Sequence, residues 1–483
     1  MSLFIRRLWL AAAVAFLPTS ALAHGFGQRY DLPVPLGLFM LGAGASVVLS
    51  FLGMGFFVRK KQESVDYPSY NLLASPLFGW MGSKVFLLLI RVLSIFMFCV
   101  TLAAGFWGTE NPDKNIVPTM VWIIWWVGLA YVCALIGNLW SLVNPWSIIF
   151  SWAEALYRKI KPGGSFSLEQ PYPENLGVWP AVGLFLWFAW AEIVWPHNDL
   201  PRNLAVATLR YSIITWTGMF LYGKEAWLER GEAFSIMFGV MGRFSLTETR
   251  VSENGKNEWR LRPPAVGLLN TDGMSYSMVV LLVLMLATVS FDGFTETPLW
   301  HLIRAGIYEG VVWVGRDALL LADTIALIAA PALFLGVYYL FCMLMRAMSG
   351  SALSTGEFAR LFVLSLVPIA IGYHVAHYFS FLFIQGQRII PLLSDPFGVG
   401  WNLWGTAAYR VDIGIIGAKT TWYASIAAIV IGHICAVYLA HVTALGALEN
   451  RFAAVRSQYP MLILMVGYTM VSLWIIAQPI TGG

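Results

Sequence analysis

Charge is what this sequence has least of. Across 483 residues Asp, Glu, Lys and Arg make up 12%, against a hydrophobic fraction of 58%. A soluble domain carries about twice that share of charge, and no stretch between the apolar runs is long enough to hold one. Cysteine is nearly absent. Cys99, Cys133, Cys342 and Cys435 each lie inside an apolar run with no C-x-x-C spacing, which argues against a disulfide framework or a zinc knuckle and for small core hydrophobes. Also missing are G-x-x-x-x-G-K-[ST], H-E-x-x-H, and a G-x-S-x-G turn between strand and helix. Their absence argues against ATP-driven transport and serine hydrolysis. The net charge of +4 calls for neither a nucleic acid nor a nucleotide, because in such a chain basic residues report topology.

What is present is apolar length. Runs of 18 or more residues recur along the whole chain, each enough to cross a bilayer. They predict an all-α, polytopic transmembrane helical bundle of about ten spans, at 34–58, 85–107, 115–138, 177–196, 203–222, 274–293, 318–346, 357–384, 421–446 and 459–478. Nothing shows the alternation of a β-barrel. Ahead of the spans, Arg6 and Arg7 precede "LWLAAAVAFL" and then "PTSALA", the layout of a cleavable bacterial signal peptide over 1–23. One membrane domain, 24–483, would then begin at His24 outside the cytoplasm. The basic residues agree. Alternate loops hold Arg59 to Lys61, Arg158 to Lys161 and Lys224 to Arg262, and the loops assigned to the cytoplasm carry an excess of about two to one. The expectation is a multi-pass protein of the bacterial inner membrane with both termini periplasmic, its surroundings the lipid bilayer, its partners a second membrane subunit or further copies of itself.

Two loops differ from the rest. The cytoplasmic segment 244–272 is polar, and Asn254-Gly255 within it predicts a hairpin. The periplasmic segment 385–420 is long, aromatic and Gly-rich, which suggests a cover over the outer face.

Ionisable groups inside spans are functional candidates by default. Arg91 lies near a helix end and can snorkel to the headgroups. Glu192 and Arg210, either side of the turn "PHNDLPRN", are expected at similar depth as a structural ion pair. In "GYHVAHYFSFLF" (372–383), His374 and His377 sit one helical turn apart. The next span carries His433 at a compatible depth, with His441 further in and structural. Imidazoles so placed either hydrogen-bond between helices or hold one divalent transition metal, zinc or copper. The candidate ligand set is His374, His377 and His433. Asp292 and Asp323, at the outer ends of neighbouring spans, are the candidates for a base or for carboxylates orienting an imidazole. At the mature N-terminus, the amine and imidazole of His24 could clamp copper, with His197 or His301 as a third ligand.

Several stretches together carry a likeness. "HGFGQRYDLPVP", "GNLWSLVNPW", "FDGFTETPLW", "YHVAHYFSFLFIQGQRIIPLLSDPFGVGWNLWGT" and "RSQYPMLILMVGY" resemble a family of bacterial polytopic membrane proteins named fenitrothion hydrolase. The resemblance implies a membrane-embedded hydrolase that cleaves the aryl ester of an organophosphorus triester, working alongside a partner subunit. It assigns no catalytic residues. A metal held by the histidines would supply hydroxide and polarise the phosphoryl group. Two other readings stand beside it: a transporter whose His, Glu and Arg side chains line an ion route, and a non-catalytic subunit of a membrane complex.

Overall fold

The computed structural model describes residues 32–58 and 67–481. The signal peptide, His24 and the Arg59 to Lys61 cluster lie outside the described residues. Helices dominate because only they satisfy their own backbone in hydrocarbon. Among the described residues ten helices are long and apolar enough to cross a membrane, and each overlaps one of the ten stretches expected from hydropathy. Those that position the candidate site are α1 (Leu36–Phe57), α2 (Lys84–Trp107) and α3 (Ile116–Leu135). They are followed by α4 (Pro145–Ile160), α5 (Trp179–Ile193), α6 (Pro201–Tyr222) and α7 (Ala233–Phe244). The chain continues through α8 (Tyr276–Thr295), α9 (Pro298–Val311), α10 (Ala318–Ser349), α11 (Val367–Gln385), α12 (Ala418–Ala447) and α13 (Arg451–Thr481). Hydropathy had not distinguished α4, α7 and α9, which are too short to span.

Local chemistry sets many of the boundaries. The Asn144 side chain caps α4 by accepting from the backbone N–H groups of Trp146 and Ser147, with Pro145 at the first helical position, where its missing N–H costs nothing. Thr297 and Pro298 start α9 in the same way. Buried Glu232 caps α7 through the N–H groups of Phe234 and Ser235. Within α3, Thr119–Gly128 is wound as a π-helix, with the Leu129 N–H reaching back to the Ile124 carbonyl. Such a widened turn re-aims side chains and tends to accompany function; here it carries Trp126.

The centre of the bundle is α11, buried along most of its length from Val367 to Ser380. Its closest partner is α12. A Cβ on Gly372 would sit 2.6 Å from the Ala428 carbonyl oxygen, and one on Gly432 would sit 2.5 Å from that of Pro368. The two glycines therefore let the backbones touch, as small residues do between membrane helices. Tyr131 donates to the Val375 carbonyl at 2.7 Å and Ser425 to that of Ala376 at 3.0 Å, fastening α11 to α3 and α12.

The expected hairpin is present. Strands β2 (Thr247–Val251) and β3 (Asn257–Leu261) pair antiparallel, and the short β1 (Tyr70–Asn71) adds to the other edge of β3. Gly255 takes a positive φ of 72° at the turn. Segment 385–420 docks by backbone hydrogen bonds: Thr109 and Ile116 donate to the carbonyls of Phe397 and Pro396. It therefore packs on the α2–α3 turn, leaving Trp401 and Trp404 exposed.

Candidate functional site

Four spans bring their polar side chains to one place. Glu192 comes from the last turn of α5, Asp292 from the last turns of α8, Trp126 from the π-turn of α3, and His377 and Tyr378 from the middle of α11. Trp126 Nε1–H donates to Glu192 Oε1 at 2.6 Å. The Tyr378 hydroxyl lies 2.8 Å from Glu192 Oε1 and 2.8 Å from Asp292 Oδ2. Asp292 Oδ2 also meets His377 Nε2 at 2.8 Å. Trp126, Glu192, Tyr378, Asp292 and His377 thus form one continuous hydrogen-bonded chain. Tyr378 and His377 are each about 5% exposed, whereas the Asp292 side chain keeps 20% of its surface open. The chain runs from the bundle interior toward accessible space.

Proton counting constrains this arrangement. A phenol has one proton to give. If it donates to one carboxylate, its contact with the other is a full hydrogen bond only when that carboxyl brings its own proton. Full two-centre hydrogen bonds at both contacts would need one proton on the Glu192–Asp292 pair beyond that of Tyr378; otherwise the phenol shares its single proton between the two oxygens.

The sequence-derived candidates divide. Asp292 and His377 are in the chain. His374, one turn earlier, faces elsewhere: its ring packs against Trp126 (5.4 Å between centroids), Tyr131 (5.9 Å) and Tyr378 (4.8 Å), and its Nε2 is buried without a hydrogen-bond partner. His433 spends Nδ1 on the Ile429 carbonyl at 2.8 Å and lies beside Tyr468. His374 and His433 therefore stand outside the hydrogen-bonded chain that holds His377. Among the described residues no group of three or more His, Cys, Asp and Glu side chains converges to hold a metal. Asp323 does not join the chain either. Arg304 grips it with two bonds of 2.6 Å, which makes it one half of an ion pair between α9 and α10. His441 bonds Gln458 and the Val58 carbonyl, a structural placement as expected. His197 and His301 are exposed.

Glu192 and Arg210 do not pair. Arg210 is exposed on α6, while Glu192 turns inward to Trp126 and Tyr378. Sequence reasoning missed Tyr378 and Trp126 altogether. The one available signal was that Tyr378 directly follows a histidine already singled out.

A chamber of about 570 Å3 lies between α2, α3, α5 and α6, with Trp122, Trp125, Trp146, Trp187, Trp195 and Phe188 among its walls. Its lining is almost wholly apolar, suited to a ring-bearing guest from the bilayer. The relay side chains are not among its walls; Trp125 and Ala191, which are, directly precede Trp126 and Glu192 in sequence. Compared with known protein families, curated proteins and solved structures, the chain finds no match.

Proposed function

We propose that this protein relays protons inside the membrane on behalf of an apolar guest held in the aromatic chamber. The observation that carries the reading is the pair of carboxyls bridged by one phenol, Glu192–Tyr378–Asp292, continued by His377. Polar groups at membrane depth are costly and persist where they serve a route or a reaction. The end of the bundle at which α1 begins and α13 ends faces the periplasm in this reading, on the strength of the basic residues in the opposite loops.

Two uses of such a relay are supported. In the first, the reaction is hydrolysis of an apolar ester such as an organophosphorus triester, in keeping with the resemblance of several stretches to fenitrothion hydrolase. Asp292 orients His377, which takes a proton from water as the oxygen attacks phosphorus; the aryloxide leaves and collects a proton. In the second, the relay couples proton movement to passage of the guest. The almost wholly apolar lining of the chamber favours the first, because it suits an uncharged triester.

One experiment separates them. The protein in liposomes is given an aryl phosphotriester with a chelator present, while phenol release and internal pH are followed. Turnover that persists in chelator and is lost in Asp292→Asn and His377→Gln supports hydrolysis. Proton flux without turnover, abolished in Glu192→Gln, assigns transport. Neither turnover nor flux refutes the relay.

A further inference from the structure

Against the relay lies a small, partly open cavity of about 20 Å3, room for one small guest. Met237 and Met241 line it from one face of α7, Met285 from α8 and His374 from α11, together with Trp126, Glu192 and Tyr378 of the relay. All four of these methionine and histidine side chains are at least nine-tenths buried. The His374 Nε2 has no hydrogen-bond partner, which is costly for a buried polar atom unless something occupies the space before it.

Three thioethers and one imidazole are a soft donor set. Hard or borderline divalent ions prefer carboxylate, imidazole and thiolate, whereas thioethers select copper(I). The charge fits as well: a monovalent cation beside one carboxylate leaves little net charge in a low-dielectric interior, and a divalent ion would leave an excess. We propose that Met237, Met241, Met285 and His374 bind a soft monovalent metal ion, copper(I), within the bundle. This site shares only His374 with the histidine set suggested by the sequence, and its four ligands take no part in the relay's hydrogen bonds.

The test titrates purified, chelator-washed protein with copper(I) under anaerobic conditions against a colorimetric copper(I) chelator, followed by X-ray absorption. The expected result is one equivalent bound with both sulfur and nitrogen neighbours. Substitutions that only adjust metal ligands from outside cost about 10–100-fold in affinity, so a Met237→Leu, Met241→Leu, Met285→Leu variant, close in volume to the parent, should lose more than that. Should that variant fold poorly, silver(I), a redox-inert substitute, serves on native protein: it should raise the unfolding temperature, and His374→Phe should abolish the rise. The proposal is overturned by absence of stoichiometric copper(I) binding. It is equally overturned by binding that the leucine variant retains, which would place the ion elsewhere, His24 included, or by zinc(II) competing on equal terms.

Discussion

Replacing Tyr378 with Phe removes one oxygen from the centre of the relay and almost nothing else. The ring stays between the imidazoles of His374 and His377, whose centroids lie 4.8 and 4.6 Å from its own. Both 2.8 Å contacts to Glu192 and Asp292 vanish, while Trp126 and His377 still hold the same two carboxyl oxygens, Glu192 Oε1 and Asp292 Oδ2. A hydrogen bond to a charged acceptor contributes about 1.5–3 kcal/mol and one between neutral partners about 0.5–1.5 kcal/mol. With one of each, Tyr378→Phe should destabilise the protein by roughly 2–4 kcal/mol, since no cavity larger than a hydroxyl is left behind. Relay function should fall much further, because the bridge between Glu192 and Asp292 is broken. Two assays read this out. Unfolding in detergent measures the stability loss, and difference infrared spectroscopy follows the C=O stretch of a protonated carboxyl. That band should be present in the native protein at neutral pH, be lost in the Glu192→Gln, Asp292→Asn double variant, and shift in Tyr378→Phe. A native protein without the band would show both carboxyls ionised and refute the proton count. A Tyr378→Phe variant as stable as its parent would refute the bridging role.

Other consequences are less demanding to test. Gly432→Ala and Gly372→Ala each force a methyl group against a carbonyl oxygen on the facing helix, so each should cost about 1–3 kcal/mol by overpacking; unchanged melting in detergent would mean that α11 and α12 do not approach as described. Asp323→Asn and Arg304→Ala break a partly exposed pair, with side chains 19% and 25% open. Each should cost about 1 kcal/mol or less, the double variant should cost less than the sum, and turnover or proton flux should be untouched; loss of activity in Asp323→Asn alone would restore Asp323 as a catalytic candidate. Gly255→Ala places a side chain at a φ of 72°. It should weaken the hairpin by about 1–2 kcal/mol, seen as faster proteolysis near 255, with the bundle's melting unchanged.

The span count was legible because hydropathy is a one-dimensional property: about 20 apolar residues in a row need no knowledge of neighbours. The hairpin was legible for a similar reason, since Asn-Gly fixes its own turn. The site was not, and helical geometry says why. Residues three apart on an α-helix differ by about 60° around the axis. For His374 and His377 that difference sends one ring toward α3 and α7 and the other toward α8, so a shared face at the level of spacing becomes two environments at the level of packing. Glu192 was recognised as an acid at membrane depth, yet its partner depended on the phase at which α6 leaves an irregular turn, which sequence does not encode. Tyr378 was invisible because a tyrosine within an apolar run reads as one more ring; only the carboxyls of α5 and α8 turn its hydroxyl into a bridge. The relay draws one or two residues from each of α3, α5, α8 and α11, and no linear spacing joins them. What the sequence did hold was a mismatch between two acids, Glu192 and Asp292, each near the same end of an upward span, and a supposed arginine partner for only one of them. Two carboxyls brought to one level in a low-dielectric interior need a shared proton or a bridging donor, and a search for a hydroxyl on the most buried span would have led to Tyr378.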